Sequence, residues 1–261
     1  AFEAGGKLAL ALGQPTLSAH LGQRATELKE QFARKFWLED LGTYALALDG
    51  AKRPCRVRSS NAGQCLFTGI AEPEHAAKVI ETLMSESMFT GWGIRTLAST
   101  ERRYNPMSYH NGSIWPHDNA LIALGMARCG GKAHAVQVLD ALFQASLYMD
   151  QHRMPELFCG FPKRQGEAPT LYPVACAPQA WAAAAVFMLL EACLGLQIEA
   201  ESGQVSFVQP VMPTSVDWID IRNLSVGEAS IDLHLRRARS DVAIEVVDKR
   251  GRATVTVIKT V

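Results

Sequence analysis

Residues 104–119, YNPMSYHNGSIWPHDN, decide how this chain reads. The stretch holds Tyr104, Tyr109, His110, Asn111, Trp115, His117, Asp118 and Asn119, with Gly112 and Pro116 as breakers. The apolar helical run ALIALGMARCG follows at once. Polar, aromatic and turn-forming side chains crowded before a buried helix make a poor core. They suit the lip of a pocket, where a rigid scaffold holds loops whose groups point outward. A plainer alternative is a capped helix start with an aromatic plug: Asp118 or Ser113 near the N-terminus, Pro116 in the first turn.

On the N-terminal side, residues 91–96, GWGIRT, place Trp92 and Arg95 between glycines. They read equally as a tight turn with a packed Trp, or as an aromatic platform with a cation beside a sugar or carboxylate. On the C-terminal side, a helix over 116–129 is expected to stop at Gly130-Gly131. Another over 132–149 carries Val136, Leu139, Leu142, Phe143 and Leu147 inward. Residues 154–160, MPELFCG, form a second informative loop: Glu156 follows a proline among apolar neighbours. Such a carboxylate is either turned to the surface or half-buried and readied for proton transfer. Tyr172 and CAPQAWAAAA then lead into a helix over 178–195, with Trp181 near its start as a core residue.

Further out, residues 1–13 and 18–36 read as helices, the second capped by Ser18, with Leu21, Ala25, Leu28, Phe32 and Phe36 as its apolar stripe. Residues 37–57 read as a β-hairpin excursion with turns at 40–42 and 49–50. Helical patterns return over 59–69 and 74–84, the latter burying Ala77, Ile80 and Met84. From residue 197 the period switches to two, which predicts antiparallel strands with a hairpin tip at 249–251. The expected organisation is 1–196 helical and 197–261 a small antiparallel β appendage, nothing in which looks chemical.

Composition narrows the function classes. Lys plus Arg equal Asp plus Glu at 26 each, and no basic stripe stands out, which argues against a nucleic-acid partner. No apolar run reaches the roughly 18 residues of a membrane span. The six cysteines form no C-x-x-C pair and no zinc spacing. They are expected as buried, reduced thiols, which favours a reducing, cytoplasmic location. Neither a metal nor a cofactor is called for. Ala1 is no start methionine and the chain opens inside a helical pattern, so a piece of a longer protein is expected.

YNPMSYHNGSIWPHDNALIALGMARCG, followed by MPELFCGFPKRQG and YPVACAPQAWAAAA, resembles the C-terminal half of bacterial amylo-α-1,6-glucosidases, or glycogen debranching enzymes. Those are similar to the wider set of six-hairpin glycosidases. The resemblance covers most of 37–196. It implies a mainly α chain, part of an (α/α)6 toroid with six inner and six outer helices and loops at one end carrying the chemistry. It also implies inversion at an anomeric carbon by two carboxyl groups roughly 6.5–9.5 Å apart. Carried over by motif, Glu156 matches the general base. Tyr109, His110, Asn111, Trp115 and His117 match the sugar-binding wall, with Trp92, Arg95, Arg164 and Tyr172 as weaker matches.

The general acid of that family, an Asp in a tryptophan-lysine-aspartate type motif, has no counterpart here and is expected upstream of residue 1. Asp118 is expected as a cap or hydrogen-bond organiser, because a helix N-terminus favours its charged form. The implied partner is an oligosaccharide or glucan substrate. Two alternatives stay open: a non-catalytic carbohydrate-binding module on the same fold, and a phosphorylase, for which only Arg164 and Lys163 offer a phosphate cradle.

Overall fold

A computed structural model describes residues 1–239 and 241–259. Helices α1 (Phe2–Ala11) and α2 (Pro15–Phe36) form an antiparallel pair packed through Gly5 and Gly6. An added Cβ at Gly5 would already lie 3.3 Å from Leu21. Helix α2 starts at Pro15, whose fixed φ suits the first turn, so Ser18 lies inside it and caps nothing. Strands β1 (Trp37–Leu38) and β2 (Thr43–Tyr44) pair antiparallel as expected, and a Leu48–Pro54 bridge extends the excursion.

Helices α3 (Asn61–Phe67), α4 (Pro73–Leu83), α5 (Pro116–Arg128), α6 (Lys132–Ser146) and α7 (Ala180–Leu194) build one apolar cluster around Ile80, Leu83, Ile122, Met126 and Leu142. Central α5 packs on α3, α6 and α7, which is why it is buried on nearly every side. Its approach to α3 needs Gly125: a Cβ there would meet the Phe67 nitrogen at 2.5 Å. Gly130 in the left-handed region lets the Gly131 N–H reach back to the Met126 carbonyl, which ends α5.

Two faces differ from the reading of the sequence. In α4 the inward residues are Ala76, Val79, Ile80 and Leu83, and Ala77 is exposed. In α6 Ala135, Val138 and Ala141 join the core while Phe143 and Leu147 face out. Leu28 of α2 is exposed as well. Periodicity gives the spacing of a stripe, whereas its rotation follows which neighbour packs closest, and small alanines let α6 approach on a different side.

The C-terminal strands are β3 (Leu196–Glu199), β4 (Gln204–Val208), β5 (Trp218–Val226), β6 (Ala229–Ala238), β7 (Asp241–Arg250) and β8 (Thr254–Ile258). They form two sheets, β3-β4-β8 and β5-β6-β7, enclosing a second cluster of Val205, Phe207, Ile231, Leu233 and Leu235. Two expectations are corrected here. Strand β8 runs parallel to β4, so the unit is not wholly antiparallel, and residues 251–253 carry the chain between sheets and form no hairpin tip. With 37% helix and 22% strand, "mainly α" also overstates the helical share. Among the described residues no helix is long and apolar enough to cross a membrane.

Candidate active site

Two loops meet beside the N-termini of α5 and α7. Ile114 and Phe158 exchange both backbone hydrogen bonds at 2.9 and 3.1 Å, tying the loop before α5 to the Glu156 loop. The Gly160 N–H donates to the Pro106 carbonyl at 2.8 Å, and the Tyr104 hydroxyl donates to the Gly160 carbonyl at 3.1 Å. Contact is so close at Gly160 that a Cβ would sit 1.6 Å from the Gly112 carbonyl oxygen. Asn119, wholly buried in the first turn of α5, accepts the Ile94 N–H (2.7 Å) and donates to the Ile94 and Trp115 carbonyls (2.9 and 3.0 Å). One amide thus ties the 91–96 turn and the end of the preceding loop to a helix.

Glu156 is 8% exposed. The Tyr109 hydroxyl donates to Glu156 Oε1 at 2.5 Å across 47 residues of chain, and the Cys176 N–H approaches Oε2 at 3.3 Å. The Glu156 N–H donates to the Cys176 carbonyl at 2.8 Å, so main chain and side chain are both held. Donation to the carboxylate, helped by burial, pushes the Tyr109 phenol up to about 12.

Aromatic rings continue from this pair. Tyr109 meets Tyr172, His110 and Trp115 edge-on, with centroids 5.6, 4.7 and 5.0 Å away. Trp115 Nε1–H donates to Ser113 Oγ at 2.9 Å, and the ring is 9% exposed. Trp115 is therefore a brace more than an open wall. His117 lies flat on Trp181, centroids 4.0 Å apart and planes 11° apart. Burial holds the His117 imidazole below its usual value, against the pull of Asp118 and Glu156, and its Nδ1 has no hydrogen-bond partner among the described residues. His110 and Asn111 are exposed at the rim.

Other candidate residues lie elsewhere. Trp92 is 3% exposed, under Lys163 and edge-on to Tyr148. Arg95 is 2% exposed, its guanidinium 5.3 Å from the Tyr104 ring, and desolvation lowers its pKa. Both belong to the packed-turn reading of 91–96, because the positive φ of Gly91 and Gly93 folds the segment inward, and neither offers a platform. Arg164 is on the surface, paired with Glu167 at 3.6 Å, while Lys163 is taken by Gln144. No phosphate cradle forms from them.

Of the two roles expected for Asp118, the structure shows the hydrogen-bond organiser and not the helix cap. Asp118 is the third residue of α5, no side chain caps that helix, and its carboxylate accepts Gln64 Nε2–H at 2.6 Å. Burial of the carboxyl outweighs the hydrogen bonds from Ser60 and Gln64 and raises its pKa. Among the cysteines, Cys159 and Cys193 are buried, but Cys55, Cys129 and Cys176 are exposed, against the expectation of uniformly buried thiols. Trp181 corrects the expectation of a core residue: it is 46% exposed beside His117, and its place at the very start of α7, next to a loop, was the available signal.

Residues 4–159 match the family model of the mannosylglycerate hydrolase MGH1-like glycoside hydrolase domain. No curated protein matches by sequence. Among solved structures, a sialidase superposes at TM-score 0.76 with 14% identity, over 97% of this chain and 25% of its own. The GH78 family rhamnosidase of Bacillus sp. GL1 gives 0.67 and 16%, over 97% and 24%. The GH63 mannosylglycerate hydrolase from Thermus thermophilus in complex with glucose gives 0.53 and 18%, over 70% and 40%. At such identities the likeness shows a shared fold, that of the glycosidase toroids. This chain spans less than half the length of each of these proteins.

Proposed function

The chain belongs to the mannosylglycerate hydrolase MGH1-like glycoside hydrolase family, and from that premise we propose that it is the base-bearing part of an inverting α-glucosidase. The observation that carries this reading is the Tyr109–Glu156 hydrogen bond, which joins the two motif loops at one carboxylate. A general base must be held still and must face the space where a sugar sits. Glu156 is gripped by Tyr109 and the Cys176 backbone, beside a rim of aromatic rings that suits carbohydrate.

In the reaction Glu156 takes a proton from water as the water oxygen attacks the anomeric carbon. The glycosidic C–O bond breaks, and an acid on the opposite face protonates the departing oxygen. The acid of such a pair stands roughly 6.5–9.5 Å from the base, which leaves room for the attacking water. Asp118 is turned toward Gln64 and Ser60. Hydrolysis of this kind needs neither metal nor cofactor. The branch linkages of glycogen-like glucans are the proposed substrate and the cytoplasm the proposed location, on the resemblance of the YHNGSIWPHDN and PELF blocks. The family's own description makes mannosylglycerate the competing substrate.

Proton NMR of the first product anomer tests the mechanism: β-glucose released from an α-linked glucan supports it, and α-glucose refutes inversion. The aromatic rim around Tyr109 also suits a second reading, a carbohydrate-binding module without hydrolysis. That reading predicts calorimetric binding of maltooligosaccharides with no release of reducing sugar.

A further inference from the structure

Most rings around Glu156 are used up by packing. Trp115 presents little surface, and its N–H is committed to Ser113. Tyr109 spends its hydroxyl on the carboxylate. Trp181 differs. Its indole is covered on one face by His117 at 4.0 Å, and Trp115 braces it edge-on at 6.1 Å, yet it stays 46% exposed. Among the described residues no ring packs on its other face. A flat, neutral His117 ring beneath and a Trp115 edge beside leave the indole little freedom to tilt. Its ring is one aromatic residue removed from Tyr109, and Tyr109 touches Glu156 directly.

We infer that the free face of Trp181 is a stacking platform for a second pyranose ring, adjoining the sugar attacked at Glu156. The inference rests on the glycosidase reading and deepens it. A pyranose with mostly equatorial hydroxyls presents a patch of C–H groups that an indole face can cover, and a rigidly backed ring loses little entropy on binding. The ligand class that follows is an oligosaccharide with at least two such rings, as in a glucan, in preference to a single sugar joined to a small acyclic group.

The test is a tryptophan-fluorescence titration with maltotriose on the chain and three variants, each checked for native circular dichroism. Trp181→Ala is expected to bind about tenfold more weakly and to lose the sugar-induced fluorescence change. Trp181→Phe, which keeps an aromatic face, should recover most of the affinity. Trp218→Ala removes an exposed ring on β5, stacked near His234 in the other core unit, and should leave binding and signal unchanged. Native-like binding and signal in Trp181→Ala overturn the platform, and so does an absence of maltotriose binding by the native chain. If binding depends on Trp181 while Glu156→Gln leaves turnover intact, the platform stands and only the base assignment falls.

Discussion

Gly160→Ala is expected to pull the two site loops apart. The added Cβ would lie 1.6 Å from the Gly112 carbonyl oxygen and 2.8 Å from its carbon. Both are backbone atoms, so no rotamer change relieves the clash. Reaching ordinary contact at 3.4 Å requires a separation of about 1.8 Å between the segments. Gly160 itself has no positive φ, so the effect is steric and not conformational. Overpacking of this kind costs about 3 kcal/mol when backbone must move, which corresponds to a fall in Tm of about 6–12 °C for a chain of this size.

The same displacement breaks the geometry at Glu156, because Gly112 leads into Trp115 and Gly160 follows Glu156 by four residues. A misplacement of that size is expected to lower turnover about a hundredfold. Gly166→Ala is the control. Its φ of +78° imposes strain of about 1–2 kcal/mol, but nothing lies within 4 Å of the new Cβ, so sugar binding and turnover should persist. Thermal unfolding and maltotriose titration of both variants decide the matter. A Gly160→Ala protein with native Tm and native binding would show that the loops are not interlocked there.

Other outcomes follow from the same contacts. Asn119→Ala should destabilise by about 2–4 kcal/mol in urea titrations, because it strands the buried Ile94 N–H and two carbonyls, whereas a surface change such as Asn111→Ala should cost almost nothing. His117 has a folded-state pKa below its unfolded value, so the unfolded chain binds a proton first. Its stability contribution is constant above the unfolded pKa of about 6.5 and is lost as pH falls from there toward the folded value. His117→Gln should flatten that part of the stability–pH curve, measured by urea midpoints between pH 7 and 5. Thiol titration of the native chain should find Cys55 and Cys176 reactive, and Cys159 and Cys193 silent until denaturant is added. Burial raises the Cys159 thiol and pushes Cys193 up to about 12.

Much of the scaffold is written in local sequence. Pro116 and Gly130-Gly131 bracket α5, Gly195 closes α7 in the left-handed conformation, and the switch to a two-residue period marks the β unit. The crowding of 104–119 marked a loop that the structure joins to Glu156, although Ser113, Ile114, Trp115 and Asn119 within it are buried. What eluded the sequence depends on long-range approach. Whether Trp92 and Arg95 face in or out hangs on how a glycine turn packs against residues 114 and 119. The parallel pairing of β8 with β4 joins residues about fifty apart and leaves no mark on either strand. Asp118 is read from its helix terminus, which is visible in sequence, whereas its burial against α3, which raises its pKa, is not.

The most direct measurement is the turnover of Glu156→Gln in the hydrolytically competent enzyme, on an α-linked glucan and on mannosylglycerate in parallel. Loss of the carboxylate, with stability and maltotriose affinity retained, should lower kcat by about 10²–10⁴-fold on the true substrate. A variant that turns over substrate within a few fold of the native enzyme would remove Glu156 from the chemistry and leave only a shared fold.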